Sequence, residues 1–301
     1  MRLSVISSLA IVAAVSLGDI GLAADKKPKS DKPISSVMSC LRGSSAMLAV
    51  ARHGGGAPGA PENSIVAMEQ TLPYAAVMQI DVSGSAEGTL FLMRDSTLER
   101  TTTGAGKTAE TYWPDLQALR LRDPGGVETS LPIPTLADAL DWSTGKAVLM
   151  IDKQLGATWA EIIAMVKQHG AEDRVIATVR SPVEVAEIRR LSDRLGVRFD
   201  LRSAADSDRL RDLDVKSNSL LGWSAAADSA LWKTAKKKVA IGFSTAGEPG
   251  KSADEKIVAD GNYSEYEWFA QSGVDFLLTD NPQAVSTLKD AAKGRKACLN
   301  R

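Results

Sequence analysis

Histidine is nearly absent from this chain: His53 and His169 are the two in 301 residues. Proton transfer near neutral pH by an unperturbed side chain therefore has few candidates. His169 ends a helical stretch (KQHG) and reads as solvated. An excess of one charge is missing too, because 36 basic and 37 acidic residues leave a net charge of −1. No long basic run or basic-aromatic stripe occurs, which argues against a nucleic-acid partner. The long apolar run at the N-terminus, residues 3–17, is too short for a membrane span, and lysines follow soon after.

That first run has another reading. Arg2 supplies a short positive start, and Gly21-Leu22-Ala23-Ala24 offers small residues for cleavage, so residues 1–24 are read as a secretory signal peptide. No cysteine follows the run directly, which argues against a lipid anchor. The expectation is an exported protein, periplasmic or secreted, with no membrane span in its mature chain. Residues 25–39 begin with DKKPKSDK and read as a flexible leader. Cysteine is as scarce as histidine, with Cys40 before the first strand-like run and Cys298 almost at the C-terminus. Export permits a disulfide between them, which would tie together the ends of a closed domain; two free thiols are the alternative.

What is present is regular alternation. With 44% hydrophobic and 24% charged residues, the chain can bury one large core. Strand-like runs fall at 47–51, 77–82, 147–151, 175–179, 197–201, 219–223, 239–243 and 275–278. Helical periods lie between them, for example at 159–169, 183–195, 228–236 and 264–272. Eight such strands in one chain of this length point to a single-domain (β/α)₈ barrel spanning residues 40–301 more than to an open sheet, although periodicity alone does not separate the two. The stretch between the second and third barrel strands is too long for a simple connection. It holds an extra strand (89–93), a Thr/Gly loop (101–108) and two short helices near 115–121 and 136–142. Such an insertion sits where barrel enzymes build their sites. Residues 247–261, after the seventh strand, read as a loop able to act as a lid.

Two glycine patterns lead nowhere. Gly54, Gly56 and Gly59 match a dinucleotide fingerprint in spacing, but Pro58 and Pro61 stand where that fingerprint needs helix. Gly104 to Thr108 resembles the end of a phosphate-binding loop, yet Thr101 replaces its first glycine.

The remaining motifs, in order, resemble the glycerophosphodiester phosphodiesterase family. Arg52-His53-Gly54-Gly55-Gly56 followed by Pro61-Glu62-Asn63-Ser64 is similar to its Ala-His-Arg-Gly strand end and Pro-Glu-Asn-Thr/Ser. Gln79-Ile80-Asp81-Val82 stands at its Glu-x-Asp-Val, and Arg94-Asp95 with Leu98 to Thr102 at its His-Asp and Leu-x-Arg-Thr-Thr. Gly104-Ala105-Gly106, Ile133-Pro134-Thr135-Leu136, a strand ending at Asp152 and Thr279-Asp280-Asn281-Pro282 complete the series. The resemblance implies a barrel that hydrolyses glycerophosphodiesters to glycerol 3-phosphate and an alcohol. It also implies a divalent cation, calcium or magnesium, on strand-end carboxylates, and two histidines sharing the acid and base work.

Several positions depart from that pattern. The first histidine and its arginine look transposed, so either His53 or Arg52 takes the catalytic place, depending on a one-residue gap. Arg94 replaces the second histidine. Gln79, Asp81 and Asp152 remain as metal ligands, but Gln79 brings no charge, leaving a weakened or absent site. Lys153 is the candidate phosphate-binding lysine, although alternation sets it against Asp152: if Asp152 points inward, so does Gln154. Glu62 and Asn63 are either substrate-facing or helix caps.

Two functions follow. One is a slow or divergent phosphodiesterase in which His53 transfers protons while Arg94 and Arg52 stabilise phosphorane charge. The other is a catalytically degenerate barrel that binds a phosphorylated or other anionic ligand.

Overall fold

A computed structural model describes residues 32–211, 217–248 and 250–299. The segment read as a signal peptide, 1–24, and positions 25–31 of the leader lie outside the described residues. Among the described residues nine strands form one sheet: β1 (Leu48–Ala51), β2 (Val77–Gly84), β3 (Leu90–Leu92), β4 (Val148–Lys153), β5 (Val175–Thr178), β6 (Gly196–Leu201), β7 (Leu220–Ser224), β8 (Ala240–Ser244) and β9 (Phe276–Thr279). All except β3 are parallel to their neighbours, and β1 pairs with both β2 and β9, so the eight close into a ring. The eight expected strands form within a residue or two of their predicted ends, and helices fill the intervals. β3 runs antiparallel to the end of β2 and starts the insertion, which folds over its own small core of Phe91, Met93, Leu98, Leu116, Leu121 and Ile133.

Alternation divides each barrel strand between two cores. Leu48, Val50, Val77, Val148, Met150, Ile176, Leu221 and Phe276 fill the ring, whereas Ala49, Met78, Ile80, Leu149, Ile151 and Ala177 pack beneath the surrounding helices. The inner core has a further member. Residues expected to end a flexible leader instead form helix α1 (Ile34–Arg42), whose Ile34, Val37, Met38 and Leu41 are completely buried. The apolar spacing i, i+3, i+4, i+7 makes one face of α1 a plug for the end of the ring where strands begin. Gly196, the first residue of β6, permits this approach: a Cβ there would lie 3.1 Å from the Met38 methyl and 3.0 Å from Ile176. The ordered domain therefore starts before residue 40, because this apolar stripe has a ring interior to fill.

Cys40 of α1 is bridged to Cys298, with Cα atoms 5.6 Å apart and a sequence separation of 258. At the same end, the fully buried Asp275 pairs with Lys236 and accepts a hydrogen bond from the Ile241 N–H at 2.8 Å. Burial pushes the Asp275 carboxyl up to about 6 against the pull of Lys236. The stretch 247–261, expected as a lid loop, contains a helix, Ala253–Asp260. It is fastened by Asp254, whose carboxylate accepts from the Tyr266 hydroxyl at 2.6 Å, the Thr279 hydroxyl at 2.9 Å and the Asp280 N–H at 2.7 Å. Buried carboxylates satisfied this fully make poor hinges.

Two stability tests follow. Replacing Cys40 and Cys298 together with serine lowers unfolding stability by up to about 5 kcal/mol through loop entropy, read from urea midpoints. Lys236→Met leaves Asp275 buried without its partner and costs about 3–5 kcal/mol at neutral pH. An unchanged midpoint in that variant would mean that the pair has no structural role.

Candidate active site

The site is built at the carboxyl ends of the strands, starting from a break in β1. Strand geometry stops at Ala51, and the next turn contains three consecutive left-handed residues: His53 (φ 51°), Gly54 (71°) and Gly55 (97°). Glycine suits the latter two, and a Cβ on Gly55 would also stand 2.1 Å from the Thr71 hydroxyl. Alternation therefore does not extend past Ala51, and the choice between Arg52 and His53 dissolves. Both side chains reach the mouth. Arg52 donates to the Gly247 carbonyl at 2.7 Å and pairs with Asp280 at 3.3 Å. His53 turns to β2, where its Nδ1 lies 2.5 Å from Asp81 Oδ2.

Asp81 is the hub. It is almost fully buried, and donors surround its carboxylate. Asn63 Nδ2 donates to Oδ2 at 3.0 Å, and Gln154 Nε2 donates to Oδ1 at 2.9 Å. Asn63 adds a second bond, accepting from the Asp81 N–H at 3.0 Å, while its own N–H donates to the His53 carbonyl at 2.7 Å. Asn63 and His53 are the non-glycine residues at positive φ among the described residues, and they are joined to each other. Strain of this kind persists where surrounding bonds over-determine it. Burial pushes the Asp81 carboxyl up, but the bonds and charge of His53, with Asn63, outweigh it and hold the group below the ordinary aspartate value.

The registers carry polarity round the ring. Asp81 faces Asp152 on β4, Asp152 faces Thr178 on β5, and Thr178 faces Arg198 on β6. Asp152 thus points inward with Gln154, while Lys153 sits opposite Val82 on the outward face. The phosphate-binding role considered for Lys153 loses its geometric basis, since neighbouring residues on a strand take opposite faces. Asp152 Oδ2 accepts from Gln79 Nε2 at 3.3 Å, and Oδ1 has no hydrogen-bond partner. Burial pushes the Asp152 carboxyl up, opposed by the charge of Arg198, whose Nη1 lies 3.7 Å away. Arg198 stacks on the Trp223 indole, 4.1 Å from its ring centre. Trp223 lies there because β8 offers Gly242 opposite it, where a Cβ would be 2.2 Å from the indole.

Glu62 does not start a helix. Helix α2 (Ile65–Thr71) is capped by Ser64, whose hydroxyl accepts from the Ala67 N–H at 3.0 Å. Glu62 instead forms two parallel bonds with Arg100, at 2.7 and 2.9 Å, and Arg100 also grips Asp95. That leaves Arg94 exposed, without an ion pair or hydrogen bond among the described residues. It follows Met93, whose N–H bonds to the Asp81 carbonyl at 3.0 Å, and its charge helps lower the carboxyl groups of Asp81 and Asp95. His169 pairs with Asp141 at 2.6 Å on the outer helices and takes no part.

Sequence reasoning assigned no role to Arg198 or Trp223. The signal was there in Val-Arg-Phe-Asp-Leu, where apolar residues alternate with charged ones that must face inward.

The residues do not suit a divalent cation. Calcium and magnesium require several oxygens with lone pairs to spare. The Gln79 oxygen already accepts the His53 N–H at 2.8 Å, and its amide NH₂ faces Asp152. Asp81 accepts from three side chains, and the free oxygen of Asp152 faces a guanidinium. Donors stand where a cation would need acceptors.

Comparison with known proteins now decides the family. The profile of the Glycerophosphoryl diester phosphodiesterase family matches residues 42–284. The chain belongs to this family. A glycerophosphoryl diester phosphodiesterase structure from Parabacteroides distasonis superposes with a TM-score of 0.75 at 23% identity, covering 90% of this chain and 94% of that one. An Oleispira antarctica phosphodiesterase, solved with the product sn-glycerol-3-phosphate, gives a TM-score of 0.62 at 21% identity, covering 82% of this chain and 98% of its own. Glycerophosphodiester phosphodiesterase 1 from Bos taurus is 34% identical over 92 residues, which span 29% of this chain and 28% of the relative. The human protein of the same name is 30% identical over the same length.

Linkage gives a test of that hub. Because the folded-state carboxyl of Asp81 is depressed, its contribution to stability is present above the ordinary aspartate pKa of about 3.9 and is lost as pH falls below it. The stability gap between the wild type and Asp81→Asn is therefore widest near neutral pH and narrows in acid, followed by urea unfolding. A gap independent of pH would contradict the hydrogen-bonded carboxylate.

Proposed function

We propose that this barrel hydrolyses glycerophosphodiesters to glycerol 3-phosphate and an alcohol, slowly, with a single histidine. The reading is supported by membership of the family and carried by one observation. His53 Nδ1 is held by Asp81, and its Nε2 is buried without a partner. A carboxylate at Nδ1 fixes that proton there and leaves the Nε2 lone pair free, the arrangement a general base requires. Water attacks phosphorus as Nε2 takes its proton; the bond from phosphorus to the alcohol oxygen breaks, and the imidazolium returns that proton to the leaving oxygen. Arg52 and Arg94 supply positive charge at the rim, and Glu62 serves indirectly by fixing Arg100.

Slowness follows from the lost second histidine. Arg94 cannot transfer a proton, because a guanidinium stays charged at all working pH values. Loss of one acid–base group costs about 10² to 10⁴ in rate. The same arginine favours a second reading, a binder of phosphorylated or other anionic ligands, because it adds unpaired positive charge without proton chemistry. The Cys40–Cys298 bridge supports an oxidising compartment and hence export to the periplasm or beyond.

The deciding assay is release of glycerol 3-phosphate from a glycerophosphodiester by the purified mature protein. Turnover that falls by about 10² or more in His53→Ala, with unchanged circular dichroism, supports the hydrolase. No release by the wild type, with retained phosphate-ester binding, would favour the binder.

A further inference from the structure

We infer that Arg198, seated on Trp223, is the phosphate-binding residue of this site and that the barrel recognises a phosphate ester without a divalent cation. The inference rests on the phosphate-ester reading above but not on turnover. It grows from two observations that meet at Asp152.

The first is the replacement of ligands by donors. In place of a ring of oxygens, the mouth presents the Gln79 amide NH₂ to one oxygen of Asp152 and the Arg198 guanidinium to the other. A cation placed among them would be repelled by the guanidinium and would face the positive end of the amide dipole. An anion is attracted by both donors, which already offset the negative charge of the Asp152 carboxylate between them.

The second is how Arg198 is held. Its side chain is 15% exposed, its Nε is buried with no hydrogen-bond partner, and its nearest carboxylate oxygen is 3.7 Å away, beyond hydrogen-bond length. A buried guanidinium with unused donors is costly unless something accepts from them. The indole of Trp223 fixes the plane of the fork from one face, and Gly242 behind it makes room for that indole. The fork is thus oriented in advance, and a phosphate oxygen pair would receive two parallel bonds. Neutralising a phosphodiester charge by an arginine on β6 does the work that a cation between β2 and β4 would otherwise do. The opposite wall of the mouth carries His53 on Asp81, so a phosphate held by Arg198 lies between the fixed charge and the proton acceptor.

Calorimetric titration of the intact mature protein with sn-glycerol 3-phosphate, and with inorganic phosphate, tests this. The affinity is expected to be the same within about threefold in chelator, calcium or magnesium, and calcium alone should give no saturable binding to the wild type. Arg198→Met should weaken phosphate-ester binding by about tenfold or more, the loss of a charge-assisted hydrogen bond. Arg198→Lys, which keeps the charge but not the fork, should be intermediate, and it serves should the methionine variant fail to fold. Saturable calcium binding, or ester affinity that rises about tenfold with a cation, would overturn the inference. So would a folded Arg198 variant that binds as the wild type does. Failure of hydrolysis alone would count against the hydrolase reading and leave this binding result standing.

Discussion

A carboxylate buried at the mouth of a closed ring of strands has to be neutralised, and at Asp81 three side chains converge to meet that demand. His53, Asn63 and Gln154 all donate to it, each from a different segment of the chain. Much of the mouth follows from this choice. The left-handed turn after β1 exists to bring His53 back toward β2, and Asn63 takes up its own left-handed backbone to reach the same carboxylate. Desolvated ionic groups are strongly destabilising when half-paired, so such a cluster persists as a unit.

The unit in turn sets what the neighbouring strand can offer. Because Gln154, the residue after β4, donates to Asp81, the alternation of that strand commits Asp152 to the interior and Lys153 to the exterior. Gln79, one pleat below Asp81, is drawn into the same network through the His53 N–H. Positive charge then comes from further round the ring: Arg198 on its indole platform, Arg52 against Asp280, and Arg94 at the edge of the insertion. Both ends of the barrel are fastened. Helix α1 plugs one end, a disulfide fastens that plug, and Asp254 pins the stretch after β8 that would otherwise have been free to move.

Family landmarks survive as structure, since Asn63 and Asp81 still hold their places, while the glutamate and second histidine positions now carry Gln79 and Arg94. Each exchange removes negative charge or adds positive charge, and the changes agree in direction. On the reading proposed above, that direction favours an anion held by guanidinium groups.

Much of the architecture was determined by the sequence alone. Eight apolar runs of strand length, alternating with helical periods, specify a parallel sheet, because parallel strands need crossover helices and must bury both faces; their number favoured a ring over an open sheet, and the β1–β2 pairing closed it. The order of motifs named the family, and the pairing of Cys40 with Cys298 was foreseeable as one of two outcomes. Tertiary structure alone decided the rest, for three physical reasons. Side-chain alternation predicts direction inside a strand, but β1 ends one residue before Arg52, so the turn's dihedral angles determined where His53 points. The fate of residues 34–39 depended on an interior elsewhere in the chain that an apolar helix face could fill. And Arg198 gained its place only when β6 closed beside β5, since no local pattern records that an arginine on one strand will stand against an aspartate on another.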